Sequence, residues 1–326
     1  MRLPQELQAA IDAETASIAQ RDRMRAVAEL TGSYQQREAS GRAIDSAAKL
    51  AAYLQVRLPA TFAADSRVFA EIASLRPDWQ PRSLLDLGAG PGTAVWAALK
   101  VFPSIQEITL VERESRIVEA GRRLAATSQV RAIRDAVWLQ SDLREANVPD
   151  VDLVVVSYAL GEMAARDRPA AVTFAWSHAK DVLVIVGPGT PADFAAILSA
   201  RTQLLDAGAH IVAPCPHETL CPMNGTRDWC HFAQRLERTS DHRRLKSGDL
   251  SYEDEKFSYL VVSGHAVPKA SARIVRHPQK HGGHVQLSLC TNDGLKQATI
   301  TKSQGDKYRL ARKAEWGEAW DADSSR

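Results

Sequence analysis

Short apolar segments alternate with alanine-rich helical segments from Arg82 onward, and this alternation constrains the fold more than any other feature. The apolar segments are SLLDLG, EITLVE, AVWLQSD, VDLVVVSYA and DVLVIVG, with KFSYLVVSG as a sixth candidate further along. Strands that are separated by helices favour a parallel sheet with helices packed on its faces. The sequence therefore predicts an α/β fold with a Rossmann-like sheet.

Two further regions flank the predicted sheet domain, which spans residues 81–265 and includes a cysteine-rich insertion at 213–250. Residues 1–80 are rich in Ala, Leu, Glu and Gln with apolar residues at helical spacing, which predicts an N-terminal helical region. Residues 266–326 predict a small C-terminal β unit with the short strands ARIVRH, HVQLSLC, QATITK and KYRLAR. A chain of 326 residues is long enough to bury a sizeable core.

The segment DLGAGPG joins the first predicted strand to the following helix through Gly88, Gly90 and Gly92. Glycines permit a tight turn, and they let the backbone approach a ligand at the N-terminus of a helix. A glycine-rich loop alone would suit a dinucleotide equally well, and it also occurs in sheets that bind no nucleotide.

Acidic residues beside this loop favour one cofactor. Asp86 lies within the motif, Glu112 ends the next strand in a position to accept from ribose hydroxyls, and Asp142 follows the third strand, where it can accept from an adenine amino group. This arrangement resembles the class I S-adenosylmethionine-dependent methyltransferases over about residues 82–265. The resemblance implies a cofactor site made of Asp86, Gly88, Ala89, Gly90, Gly92, Glu112, Asp142, Leu143 and Ser157.

Catalytic residues are not evident in the segment after the fourth strand. Methyltransferases of this class that act on amines usually carry an Asp/Asn-Pro-Pro-aromatic tetrapeptide there, whereas this chain has SYALGE at 157–162. A cytosine C5-methylase needs a cysteine nucleophile, and no cysteine precedes Cys215. Tyr158 or Glu162 could serve as a base or orient a substrate, but an ordinary role at the end of a strand is the favoured interpretation.

The N-terminal segment has no apolar core of a signal peptide, and no apolar run approaches the length that spans a bilayer. We therefore expect a soluble, cytoplasmic protein with no membrane partner. In that compartment clustered cysteines are more often metal ligands or redox groups than structural disulfides.

Three of the four cysteines, Cys215, Cys221 and Cys230, lie among prolines in one polar segment, and Cys290 follows far downstream. Zinc ribbons usually supply cysteine pairs two to four residues apart, and this chain has no such pair. Four thiolates from a loop and a distant strand suit either a tetrahedral ion or a cubane iron–sulfur cluster. The alternative is four unrelated cysteines, but the proline-rich setting makes them poor core residues.

Positive charge is concentrated near the C-terminus, although the whole chain carries a formal charge of only +2. Between Lys269 and Lys313 there are ten Lys and Arg against two Asp, which is a local excess of +8. The stretch is either a solvated face or a surface that binds phosphates, because Lys and Arg clusters supply the sequence-independent part of nucleic-acid affinity.

Several segments together resemble the methyltransferase-like assembly factors of the small ribosomal subunit, which are known from mitochondria and have bacterial relatives. The segments are DLGAGPGTA, VSYALGEM, APCPHETLCPM, DWCHF and EDEKFSYLV, and the resemblance runs from about Tyr53 to Cys290. Members of that family bind S-adenosylmethionine, associate with the small subunit during its maturation, and carry a four-iron–four-sulfur (4Fe-4S) cluster on four cysteines. The resemblance assigns the cluster to Cys215, Cys221, Cys230 and Cys290.

The resemblance also implies that the basic C-terminal β unit faces rRNA of the small subunit. Two functions follow from different classes: a factor for ribosome maturation and translation that uses cofactor and cluster without methyl transfer, or an active rRNA methyltransferase. A third interpretation is a small-molecule methyltransferase whose cysteines bind a structural zinc ion. This interpretation gives no role to the basic C-terminal stretch.

Overall fold

The computed structural model describes residues 1–35, 44–246 and 250–321. The parts of the predicted regions at 36–43, 247–249 and 322–326 lie outside the described residues. The α-helices are α1 (Gln5–Thr15), α2 (Gln20–Gln35), α3 (Ala47–Ala52), α4 (Leu58–Leu75), α5 (Thr93–Val101), α6 (Ser115–Ala126), α7 (Arg131–Arg134), α8 (Arg168–Ser177), α9 (Pro191–Asp206), α10 (Ser240–Leu245) and α11 (Asp306–Lys313). A π-helical turn, Tyr53–Arg57, joins α3 to α4, and short 3₁₀ turns are found at Leu160–Glu162 and Lys302–Gln304.

The strands form two sheets. The larger sheet contains β1 (Ser83–Leu87), β2 (Glu107–Glu112), β3 (Val137–Gln140), β4 (Val151–Ser157), β5 (Ala179–Pro188), β6 (His210–Ala213), β7 (Phe232–Glu237) and β8 (Tyr252–Ser263). The smaller sheet contains β9 (Ala272–Ile274), β10 (Gln279–Lys280), β11 (His284–Thr291), β12 (Gly294–Thr301) and β13 (Ala319–Trp320).

The larger sheet has the order β3-β2-β1-β4-β5-β8-β6, and β7 pairs with β8. Strands β1 to β5 are parallel, whereas β8 runs antiparallel to β5, β6 and β7. The sheet is therefore mixed, and the prediction of a parallel sheet does not hold at this edge. The order and the helices between the strands confirm the Rossmann-like class I methyltransferase fold. Strand order reverses between β1 and β4, which is where such sheets bind ligands.

Apolar runs place both faces of the sheet in the core. Leu84 and Val155 pack on the face covered by the N-terminal helices, while Leu85 and Val154 pack on the opposite face. Central strands that are buried on both sides need this continuous apolar pattern. Helix α4 is buried along most of its length and brings Phe62 and Phe69 into the first of these clusters.

The C-terminal strands enclose a small core of their own, which contains Ile274, Val285, Leu287 and Trp320. The segment 307–312, predicted as a strand, lies instead in helix α11. Its apolar residues follow helical spacing, since Ala311 and Ala314 are buried while the charged residues between them are exposed. Strand β7 and helix α10 lie within the predicted insertion, which is therefore only partly a loop. The division of the chain into three domains remains a prediction.

Candidate functional site

The glycine-rich loop follows β1 at the point where the strand order reverses. Gly88, Gly90 and Gly92 all have left-handed backbones, with φ of 72°, 55° and 83°. A Cβ atom on Gly88 would lie 2.5 Å from the Cβ of Ala159, in the segment after β4. Only glycine lets these two segments approach so closely, and their approach forms one wall of a pocket.

This pocket, which we call the cofactor pocket after the ligand that the sequence predicts, has about 780 Å³ of empty space at the carboxyl ends of the parallel strands. Six of the predicted cofactor residues line it: Gly88, Gly90, Glu112, Asp142, Leu143 and Ser157. The other three, Asp86, Ala89 and Gly92, are buried around the base of the loop. Tyr53 of the π-helical turn also lines the pocket, and the glycine motif gave no signal for it.

The Glu112 carboxylate is fixed by the backbone around it. One oxygen accepts from the N–H of Gly90 and the other from the N–H of Glu114, each at 3.0 Å. Each carboxylate oxygen can accept more than one hydrogen bond, so Glu112 keeps acceptor capacity towards the pocket. The Arg144 guanidinium binds both oxygens of Asp142 at 3.0 and 3.1 Å and holds the pKa of Asp142 below its ordinary value.

Two buried carboxyl groups lie behind the pocket. Both oxygens of Asp86 are without a hydrogen-bond partner among the described residues, as is Oδ2 of Asp65 on α4. The other Asp65 oxygen accepts from the Ser157 hydroxyl at 2.7 Å. Burial raises the pKa of Asp65 to about 7, and burial with the charges of Asp65 and Glu112 raises the pKa of Asp86 well above its ordinary value. A cation bound nearby would satisfy this concentration of acceptors.

Tyr158 begins the segment after β4 with an unusual left-handed backbone, at φ of 56°. Its hydroxyl donates to Glu255 at 2.9 Å, and Arg57 lies 3.7 Å from the same carboxylate and over the Tyr158 ring. Burial raises the pKa of Tyr158 well above its ordinary value, so the phenol stays neutral. A neutral phenol that already donates to a carboxylate is a poor base. The other candidate base, Glu162, lines the cofactor pocket.

The four cysteines line a second pocket, which has about 600 Å³ of empty space. Cys215 and Cys221 come from the loop after β6, Cys230 lies two residues before β7, and Cys290 lies on β11. All four are free thiols. Across the described ranges, no group of three or more His, Cys, Asp or Glu side chains is arranged to hold a metal ion. The expected metal-binding insertion thus appears as a shared pocket without the compact ligand set that one ion needs.

Burial dominates the electrostatics of the cysteine pocket. It raises the pKa of Cys290 to about 12 and that of Cys230 well above its ordinary value, and charge on the other cysteines adds to both shifts. Two buried arginines, Arg201 and Arg273, also line the pocket and oppose these shifts for Cys290. These thiols therefore stay protonated unless a cation replaces their protons.

Helix α9 fixes the loop between the first two cysteines through Arg201. One guanidinium nitrogen donates to the carbonyls of His217 and Thr219, at 3.0 and 2.8 Å. The Nε atom of Arg201 is buried and has no hydrogen-bond partner in the described part of the chain. His217 lies beside Cys290, with Nε2 3.5 Å from Sγ. The sequence does not predict a role for Arg201 at this pocket, because Arg201 lies on a helix and outside the cysteine segment.

The basic C-terminal stretch divides into internal and exposed charges. Arg273 is buried, Lys269 pairs with Glu218, and Arg276 pairs with Asp228. At one end of the C-terminal unit, the Lys302 N–H donates to Gly283 and Arg312 donates to His281, which joins the β10–β11 turn to α11. The exposed cations near this end, which we call the basic end, are Lys280, Lys302, Arg312 and Lys313.

Within the described residues, no helix combines the length and the apolar character needed to cross a bilayer.

Comparisons with known proteins identify relatives of this chain. A family model described as "Mitochondrial small ribosomal subunit Rsm22" matches residues 47–321. "Ribosome assembly protein METTL17, mitochondrial" from Homo sapiens is 29% identical over 288 residues, which cover 82% of this chain and 61% of the human protein. "Rsm22-cox11 tandem protein 2, mitochondrial" from Schizosaccharomyces pombe is 29% identical over 326 residues, which cover 82% of this chain and 42% of that protein. The chain thus spans less than two thirds of either relative.

Among solved structures, a putative RNA methyltransferase, PH1948, from Pyrococcus horikoshii is similar to this chain. It has a TM-score of 0.41 and 17% identity, and the match covers 61% of this chain and 83% of that protein. A likeness this distant carries no functional assignment.

The comparisons contradict the expected cytoplasmic location. The family description and both relatives are mitochondrial, and the lack of a recognisable signal peptide excludes neither compartment. Because the family model matches most of its length, from residue 47 to residue 321, this chain belongs to the mitochondrial small ribosomal subunit Rsm22 family.

Proposed function

We propose that this chain is an assembly factor of the small ribosomal subunit that binds S-adenosylmethionine, carries a 4Fe-4S cluster and contacts rRNA through its basic end. The observation that carries the ribosomal assignment is the family match over residues 47–321. A human relative that is similar over 82% of this chain is named a ribosome assembly protein, which supports the same function.

The cofactor pocket supports S-adenosylmethionine as its ligand. Its glycine loop accommodates a closely packed ligand, Glu112 keeps acceptor capacity for ribose hydroxyls, and Asp142 lines the same pocket as a candidate acceptor for an adenine amino group. The unpartnered oxygens behind the loop, both of Asp86 and Oδ2 of Asp65, fit a ligand that carries an ammonium group and a sulfonium. When bound, this cofactor supplies an activated methyl group.

The strand-end residues favour a cofactor role without methyl transfer over an active rRNA methyltransferase. The Ser157 hydroxyl donates to Asp65 and the Tyr158 hydroxyl donates to Glu255, so both are committed to internal hydrogen bonds. Mass spectrometry of small-subunit rRNA from a deletion strain separates the two functions. Loss of one methyl mark would favour the enzyme, and an unchanged set of marks would favour the assembly factor.

Glu112→Ala is expected to weaken S-adenosylmethionine binding by roughly 10²- to 10⁴-fold, since two charged hydrogen bonds are lost. The change removes a charged acceptor for two ribose hydroxyls, and hydrogen bonds to charged groups contribute about 1.5–3 kcal/mol. Calorimetry on the folded variant measures the loss. Glu119→Ala is the matched control, because Glu119 is an exposed acid on α6 away from the pocket. Equal affinity in both variants would contradict the placement of the ribose on Glu112.

The cysteine pocket supports a cubane cluster more than a zinc ion. All four cysteines line this one pocket, and a cubane takes four cysteine thiolates, each on a different iron. The buried charge of Arg201 offsets part of the negative charge of a cluster on four thiolates, and the unpartnered Arg201 Nε supplies a donor. When bound, the cluster supplies a redox centre that links the cysteine loop to β11.

Binding to small ribosomal subunits is expected to weaken steeply with salt and to depend on the basic end. The triple change Lys280→Gln, Lys302→Gln and Lys313→Gln should lower the log–log salt slope by about 0.7–0.9 for each phosphate contact that is lost. Titration of isolated subunits at several salt concentrations measures the slope. Lys296→Gln is the control, since Lys296 lies towards the β11–β12 turn and pairs with Asp293. An unchanged slope in the triple variant would contradict rRNA contact through this surface.

A further inference from the structure

His217 is held at the wall of the cysteine pocket by contacts on both sides of its ring. The residue is 6% exposed, its Nε2 lies 3.5 Å from Cys290 Sγ, and its Nδ1 lies 2.9 Å from the Thr219 hydroxyl oxygen. Arg201 also binds the carbonyl of His217. We propose that His217 donates an N–H···S hydrogen bond to Cys290 and thereby raises the reduction potential of the cluster, an inference that rests on the proposed cluster.

The direction of the hydrogen bond follows from the chemistry of the sulfur. A cysteine that ligates iron has lost its proton, so its sulfur can only accept. The favourable tautomer therefore carries its proton on Nε2, which leaves Nδ1 to accept from the Thr219 hydroxyl. The Thr219 hydroxyl can donate to Nδ1 in this tautomer, so the contact is compatible with the tautomer that a ligating Cys290 needs.

His217 is a positioning residue here and not a fifth ligand. The four cysteines already provide the complete set of thiolates that a 4Fe-4S cluster takes. The distance of 3.5 Å between Nε2 and Sγ suits a hydrogen bond to sulfur, which is a large acceptor. Its effect on the cluster therefore passes through the sulfur of Cys290.

A donor aimed at a ligating sulfur changes the balance between oxidation states. Reduction adds negative charge to the cluster, and a hydrogen bond to its sulfur stabilises the reduced form more than the oxidised form. The buried guanidinium of Arg201 lines the same pocket and acts in the same direction. The contact of His217 therefore raises the potential, and its loss should lower it.

The test compares the midpoint potentials of anaerobically reconstituted full-length variants by spectroelectrochemical titration. His217→Phe keeps a ring of similar size but removes the donor. At a fixed potential its ratio of oxidised to reduced cluster should rise on the order of tenfold, which is about 59 mV for a one-electron couple. His217→Gln retains an N–H donor and should stay close to the unmodified chain.

The matched control is His231→Phe. His231 is also buried beside a cysteine, but its ring stacks on Trp229 and its Nδ1 lies 3.2 Å from the Trp229 carbonyl oxygen. This variant should keep the original potential.

Iron and sulfide content measured on each protein separates the outcomes. A lowered potential in His217→Phe with normal iron content, rescued in His217→Gln, supports the inference. An unchanged potential in His217→Phe overturns the inference about His217 but not the proposed cluster. Loss of the cluster from His217→Phe would assign His217 to cluster assembly, and this result also overturns the inference. Absence of iron from the unmodified chain would overturn the proposed cluster itself and this inference with it.

Discussion

Cys290→Ser is expected to abolish stable cluster binding and to loosen the C-terminal β unit, while the cofactor pocket keeps its ligand. Cys290 lies on β11, and the other three cysteines lie between β6 and β7, so the cluster links two distant parts of the chain. Loss of a ligand should reduce cluster affinity by more than about 100-fold, since changes outside the ligand set already cost 10- to 100-fold. The free energy of binding is also free energy of folding, because the site exists only in the folded chain.

Two measurements check this expectation. The iron and sulfide content and the visible absorption of anaerobically purified protein report how much cluster is bound. Amide hydrogen exchange reports the order of the backbone. Exchange should accelerate at 213–232 and 272–301 but not at 83–112, which holds the glycine loop. Ser288→Ala is the control, because Ser288 lies two residues earlier on β11 and has its own bond to Gln297. Full iron content in Cys290→Ser would remove this residue from the proposed ligand set.

The sequence predicted the sheet well because its signals are local. Each parallel strand is a short apolar run, and the glycine motif marks the turn after β1 at Gly88, Gly90 and Gly92. The strands that were missed, β6 and β7, give weaker signals. Strand β6 has four residues, and β7 has only two buried positions, Phe232 and Leu236, without a continuous apolar run.

Contacts between distant parts of the chain could not be predicted. The Ser157 hydroxyl donates to Asp65, 92 residues earlier in the sequence, and the Tyr259 hydroxyl donates to Glu71, 188 residues earlier. Asp65 and Glu71 are acidic residues on helix α4, and acidic side chains are ordinarily exposed. Only the packing of α4 against the sheet buries them, and no local pattern encodes which polar residue a helix turns inward.

For Arg273, the count of charges in the sequence predicted a surface position that the structure does not show. The excess of +8 counted this residue as part of a basic surface, yet it is 6% exposed and lies inside the protein. It forms an ion pair with Glu71 of α4 at 2.5 Å, and Glu71 also accepts from the Tyr259 hydroxyl at 2.7 Å. The guanidinium donates to the carbonyls of Pro214 and Gly317, both at 2.8 Å. Arg273 thus joins β9 to helix α4, to the start of the cysteine loop and to the turn before β13.

Arg273→Ala is expected to lower the free energy of unfolding by about 3–5 kcal/mol, because it leaves the Glu71 carboxylate buried without its counter-ion and two carbonyls without a donor. Urea denaturation followed by circular dichroism measures the loss. Arg276→Ala is the matched control, since its partner Asp228 is half exposed and such a pair contributes about 0–1 kcal/mol. The double variant Arg273→Ala with Glu71→Gln should recover part of the loss, because the amide still accepts from Tyr259 and carries no charge that needs a partner. Equal stability of Arg273→Ala and Arg276→Ala would show that Arg273 does not hold these segments together.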